Sequence, residues 1–336
     1  MKEVIIHPTE RDYGISLLRV ISMMMIILCH IFNYVHLTWL AQFFNVGVYV
    51  FLLISGWLYS NKVISNVKTW LVSRWKKLCI PIIVWMVITS IYVIITEQNL
   101  PDLRDIILLS TNTQGISWII RFFPEISRGG MLGGLAHLWF VSVIILCYFI
   151  LIVVKKYEKN INSYNLHIVC IASLVIFVLL RLCGINISYF LCFFIGYFLR
   201  KKELIPTSKY WLLSVCTIIS ILIRLICKKY FDGTDLYNNI IVCLTHIVIS
   251  IWIFITVIIA ENKINCVHSL ATSVFMSKCD SISYYIYVTH YFFVVDSFHL
   301  ANMAHGLFLQ MCLFSILTII TAIAIKFISN KLATII

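Results

Sequence analysis

Long apolar runs recur along this chain with little polar sequence between them, and the longer ones reach the about 20 residues that a helix needs to cross a hydrocarbon core. Ten spans are predicted: Tyr13–Val35, Ala41–Ser60, Leu78–Thr96, His137–Val154, Leu166–Cys183, Ile187–Leu199, Tyr210–Cys227, Tyr237–Ala260, Ser281–Phe298 and Gly306–Ile328. The fold class is therefore all-α, a polytopic transmembrane bundle of about ten helices. Ile187–Leu199 is short for a full crossing and reads as a longer, tilted or partly re-entrant helix. The longest stretch outside the spans, Glu97 to Ala136, holds Pro101, Pro124, Trp118 and the run Gly129-Gly130-Met131-Leu132-Gly133-Gly134. Its aromatics and mixed charges favour a folded cap over a linker.

Composition supports a bilayer as the solvent. Hydrophobic residues make up 61% and charged residues 12% of the chain, and mean hydropathy is +0.98. A water-soluble domain carries about 25% charged residues, so this chain cannot coat a soluble surface. The polar start Met1–Asp12 and the long apolar run after it do not form a cleavable signal peptide. Of the 12 cysteines, most, including Cys147, Cys170, Cys192 and Cys243, lie in apolar runs as small buried residues. No CxxC or HExxH occurs, so no metal is expected.

Charge orients the bundle. With the N-terminus inside, eighteen Lys and Arg fall on inner segments against five outside, namely Arg104, Arg121, Arg128, Lys228 and Lys229. That asymmetry places both termini in the cytoplasm and puts the 97–136 segment on the outer side. The net charge of +12 is then an orientation signal and a contact with anionic lipid, with no nucleic-acid partner implied.

Arg19, Arg181 and Arg224 place cations inside spans, and His30 joins Arg19 in the first one. Eleven residues at about 100° each bring Arg19 and His30 to nearly the same helical face, about 16 Å apart along the axis. Ionisable groups at such depths are costly unless they meet a polar cavity or a partner. Singly, Arg19 can snorkel to headgroups and His30 can be a satisfied interfacial histidine. Together on one face they favour a shared polar channel, with Arg181 and Arg224 left as snorkelling residues near outer helix ends. Ser283, Tyr284, Tyr287 and His290 add a polar stripe to the ninth span at helical spacing. Asp296 is the only acidic residue within a predicted span. His137 and Trp139 open the fourth span, as an acceptor entrance or as part of an interfacial belt.

The motifs along the chain resemble those of the acyltransferase-3 family of membrane acyltransferases, which includes bacterial polysaccharide O-acetyltransferases. The resemblance begins with Arg19, ten intervening residues and His30. It continues in the family's order through VFLLISGWLYS (50–60), SRWKKLCIPIIVW (73–85), HLWFVSVIILCYFI (137–150), FFIGYFLRKK (193–202) and SISYYIYVTHYFF (281–293). It covers essentially the whole chain, so residues 1–336 read as a single transmembrane acyltransferase domain with the outer loop or cap at 97–136. Two positions depart from the family pattern: Ser16 stands where an acid is common, and Lys77 stands where a second arginine is common. An ammonium neutralises phosphate without the bidentate fork of arginine.

The resemblance implies a multi-pass protein of a bacterial inner or plasma membrane that transfers acetyl from cytoplasmic acetyl-CoA. The acceptor it implies is an envelope polysaccharide or a lipid-linked glycan. His30 would act as general base or nucleophile, with Arg19 guiding the donor. Arg74, Lys76 and Lys77 would meet the donor's phosphates, although the same three residues also suit lipid headgroups. His137, Trp139, Ser283, Tyr284, Tyr287, His290 and Asp296 would support or hold the acceptor. A homo-oligomer stays open. The rival classes are a transporter or flippase for a small solute or lipid-linked sugar, and a non-catalytic membrane sensor. The first lacks a visible inverted repeat or a mid-depth acidic coupling site, and the second lacks a signalling domain.

Overall fold

The computed structural model describes residues 13–98, 100–121, 123–125, 132–157, 163–201, 209–294 and 306–335. Among the described residues there is no named strand, only an isolated bridge between Ile120 and Ile185. In chain order the helices are α1 (Tyr13–Tyr34), α2 (Thr38–Phe44), α3 (Val46–Ser60), α4 (Val67–Glu97), α5 (Leu103–Thr111), α6 (Trp139–Tyr157), α7 (Ser163–Leu182), α8 (Ser188–Lys201), α9 (Tyr210–Phe231), α10 (Val242–Lys263), α11 (Asn265–Thr272), α12 (Val274–Val294) and α13 (Leu307–Ile335). Each predicted span overlaps one of these helices or a short pair of them.

Among the described residues, seven stretches are long and apolar enough to cross a membrane: Tyr13–Tyr34, Thr38–Ser60, Val67–Thr96, Gly134–Tyr157, Tyr210–Phe231, Leu236–Lys263 and Phe308–Ile335. Among the described residues, α8 and α12 do not meet that standard, and Ala172–Leu182 of α7 is a shorter apolar helix. For α8 the reason is length, 14 residues. For α12 it is chemistry, because its first half carries Lys278 and Asp280 among serines and a cysteine.

The chain divides into two compact units, residues 1–26, 42–62 and 188–281 in one, and 27–41, 63–187 and 282–336 in the other. The first unit is built on the crossing of α3 and α8. A Cβ on Gly56 would sit 1.8 Å from the Phe193 carbonyl oxygen, and one on Gly196 would sit 2.1 Å from that of Leu53. Both distances are inside any van der Waals contact. The two glycines of the ISGWLYS and FFIGYF motifs are therefore the points where two helix backbones touch, the close approach that small residues permit in lipid. Around the crossing, Cys192 Sγ donates to Tyr49 O at 3.2 Å, Tyr49 Oη pairs with Ser188 Oγ at 3.1 Å, and Trp57 packs on Phe254 of α10.

Gly196→Ala is expected to force the helices apart and cost about 3 kcal/mol, the upper end of overpacking penalties. No space absorbs the methyl, because the three nearest atoms it would meet are all backbone atoms of Leu53, which cannot rotate away. The check is a lower temperature of aggregation for the detergent-extracted protein.

Elsewhere in the first unit, Leu17 of α1 packs with Ala271 and Met276, joined by Val20, Ile21, Val257 and Val267. This apolar cluster fixes the first half of α1 against α11 and the start of α12.

The second unit is organised by α4 and α6. Asn66 caps α4, its Oδ1 accepting from Thr69 N at 3.0 Å, so the helix starts eleven residues before the predicted Leu78 and takes in the basic run. Pro81 lies inside it and cannot donate to the carbonyl one turn earlier, that of Lys77. Within the 97–136 segment, α5 and the turn Gln114–Trp118 are ordered structure. That turn lies flat on α6: Gly115 N donates to Ser142 Oγ at 3.0 Å, Gln114 Nε2 donates to Leu138 O at 3.1 Å, and Trp118 stacks on Trp139 with centroids 4.8 Å apart. Arg121 N and Asn186 N donate to Gly184 O and Ile119 O, tying the same segment to the α7–α8 connection.

Candidate functional site

α1 runs unbroken from Tyr13 to Tyr34 and carries both Arg19 and His30. Its last part, from Ile27 on, belongs to the second unit, where α12 and the turn Gly133–Leu138 deliver two more histidines. The ring centroid of His30 lies 5.2 Å from that of His290 and 6.3 Å from that of His137, and His137 and His290 are 5.0 Å apart. Tyr291 fits among them, edge-on to His30 at 4.7 Å and stacked on His137 at 4.8 Å. Three histidines that lie far apart in the sequence thus share one cluster.

Tyr287 holds the cluster together from both ends. Its hydroxyl donates to His137 O at 2.6 Å. Its carbonyl receives His137 Nε2 at 2.9 Å and His290 Nδ1 at 2.8 Å. His30 differs from its neighbours: it is half-buried and makes ring contacts with no hydrogen bond among the described residues. Its imidazole is consequently the one in the cluster not committed to a backbone partner, which leaves it able to accept or release a proton.

Other predicted site residues fall in different places. Tyr284 donates to Leu78 O at 2.6 Å, joining α12 to α4 just past the basic run, and its ring stacks on Tyr287. Ser283 is buried on the same helix. Trp139 stacks on Trp118, an anchor for the Gln114–Trp118 turn. Asp296 lies outside the described residues. Arg74, Lys76 and Lys77 sit within α4 and not ahead of it. Arg74 and Lys77 are three residues apart and share a face, whereas Lys76 is about 200° round the helix from Arg74. Arg74 also lines a groove of about 210 Å³ with Leu71, Val72, Trp75, Ile145, Tyr148 and Phe149, in which it is the one charged residue.

In the first unit, Arg19 Nη2 pairs with Asp280 Oδ2 at 2.9 Å, with side chains 33% and 7% exposed. Sequence reasoning missed Asp280 because it starts the ninth span at Ser281, one residue too late. The helix begins at Val274, so the acid lies inside it although it falls outside the predicted span. The available signal was the cation itself, since a buried Arg needs an acid from some neighbouring helix.

Among the described residues, no three His, Cys, Asp or Glu side chains are arranged to hold a metal ion. A family model described as an acyltransferase domain, that of acyltransferase-3, matches residues 12–327. No curated protein and no solved structure matches the chain. The match extends over nearly all of its length, from α1 with Arg19 and His30 to α13, and the chain therefore belongs to the acyltransferase-3 family of membrane acyltransferases.

Proposed function

We propose that this protein is a membrane-embedded O-acetyltransferase that moves acetyl from cytoplasmic acetyl-CoA to a hydroxyl of an envelope polysaccharide or lipid-linked glycan. The observation that carries the proposal is the uncommitted imidazole of His30 inside a ring cluster whose other two histidines are held by the Tyr287 carbonyl. His30 takes the proton of the acceptor hydroxyl as its oxygen attacks the thioester carbon. The carbon–sulfur bond breaks, and the leaving thiolate recovers the proton from the imidazolium. A nucleophilic route balances equally: one ring nitrogen takes the acetyl as the carbon–sulfur bond breaks, the thiolate leaves with the proton of the other ring nitrogen, and the acceptor oxygen then takes the acetyl while its own proton returns to the ring.

The charge pattern supports a donor arriving from the cytoplasm, with Arg74 and Lys77 on one face of α4 for its phosphates. Arg19 is assigned to the donor's polar arm. The test is mass spectrometry of cell-envelope glycans from cells with and without the gene. One sugar is expected to carry an added acetyl mass only when the gene is present, and identical glycan masses in both would overturn the proposal.

A further inference from the structure

Three buried atoms in and next to the histidine cluster point to the chemistry of the acceptor. A carbonyl oxygen only accepts hydrogen bonds, so the two nitrogens that meet Tyr287 O, His137 Nε2 and His290 Nδ1, must both carry protons. In a neutral ring the second nitrogen is then a bare lone pair. For His137 this is Nδ1 and for His290 it is Nε2, and among the described residues neither has a hydrogen-bond partner. Gln114 repeats the pattern. Its Nε2 is spent on Leu138 O, the residue after His137, and its Oε1 is buried without a partner among the described residues.

All three atoms are acceptors. A buried polar atom left without a partner costs about 1–3 kcal/mol, and a bound group that brings O–H donors offsets that cost. A carbonyl, a phosphate or a thioester brings only acceptors and gains nothing here. A cation would also be drawn to lone pairs, but the described residues do not converge as a metal ion needs.

We propose that His137 Nδ1, His290 Nε2 and Gln114 Oε1 form a hydrogen-bond-accepting wall that binds the spare hydroxyls of a polyhydroxyl acceptor. This inference rests on the transfer reading of the same cluster. His137 and His290 bind hydroxyls that do not react, and His30 serves the one that does. The Tyr287 carbonyl meets both rings and Ile286 O lies 3.2 Å from His290 Nδ1, so backbone acceptors set both tautomers.

The full-length protein in lipid nanodiscs, labelled with 15N-histidine, tests this directly. Variants His137→Asn and His290→Gln, which retain an oxygen acceptor, assign the two resonance pairs. His137 is expected in the Nε2–H form and His290 in the Nδ1–H form. Glycerol is expected to shift both unprotonated nitrogens upfield in a saturable manner. Dimethyl sulfoxide, which has no O–H, is expected to leave them in place. Opposite tautomers, no response to glycerol, or a response to hydration alone (an ordered water only) would each overturn the inference. Thioester turnover of the same sample, with and without His30→Ala, separates the two proposals. A missing glycerol response beside His30-dependent turnover defeats the wall alone, and the reverse result defeats the transfer reading.

Discussion

His30→Ala is expected to lower acetyl transfer by about a thousandfold while the protein still inserts and remains monodisperse in detergent. Positioned proton transfer contributes about 10²- to 10⁴-fold to a rate, and a thousandfold loss corresponds to about 4 kcal/mol of transition-state stabilisation. The two halves of the expectation are separable because His30 is half-buried and anchors nothing by hydrogen bonding among the described residues. Its structural share is ring packing on His290, His137 and Tyr291. His137→Ala, by contrast, removes the ring that bonds the Tyr287 carbonyl and is expected to lower stability as well as transfer. The measurement is release of CoA thiol from acetyl-CoA by purified protein with an envelope glycan fraction, paired with a size-exclusion profile. Turnover within about threefold of the parent, a change of less than 1 kcal/mol, would remove His30 from the chemistry. Rapid mixing without acceptor distinguishes the two routes, since an acetylated imidazole gives a stoichiometric burst of thiol and direct transfer gives none.

The helices were legible in the sequence because hydropathy reports burial in lipid directly. Their ends were less so. Hydropathy marks where the bilayer would begin, whereas a helix begins where its amides find a cap. α4 shows the difference: the basic run falls before the predicted start at Leu78, yet the Asn66 side chain starts the helix at Val67. The same effect hid Asp280, since a charged first half lowers the apolar signal of α12 without interrupting its hydrogen bonds. The pairing of His30 with His137 and His290 was not readable from spacing. It depends on which helices are neighbours, and one sequence contains no record of that. His137 and His290 were nevertheless within reach as candidates, because an imidazole in an apolar run needs a partner wherever it lands. Gly56 and Gly196 read in the sequence only as parts of motifs; the α3–α8 crossing gives them a packing role.

The ion pair between Arg19 and Asp280 offers a second large effect, on stability and activity together. Asp280→Ala leaves the guanidinium without its acid beside an apolar cluster and is expected to cost about 3–5 kcal/mol, the range for breaking a buried pair by removing one partner. The lower end applies, because a third of the Arg19 side chain is exposed and solvent screens the loss. Arg19→Leu should also destabilise, by removing the 2.9 Å ion pair of a carboxylate that is almost fully buried. The double variant Arg19→Leu with Asp280→Leu removes both charges, and replacing a buried pair with apolar side chains is often neutral. Its thermal stability in detergent is therefore expected to return close to that of the parent. Transfer is not expected to return with it. If Arg19 takes part in donor binding, the double variant keeps a raised KM for acetyl-CoA despite its restored fold, and coupling between the two sites appears in stability and not in turnover. Recovery of both quantities would reduce Arg19 to a structural partner of Asp280 and leave His30 as the only functional residue on α1.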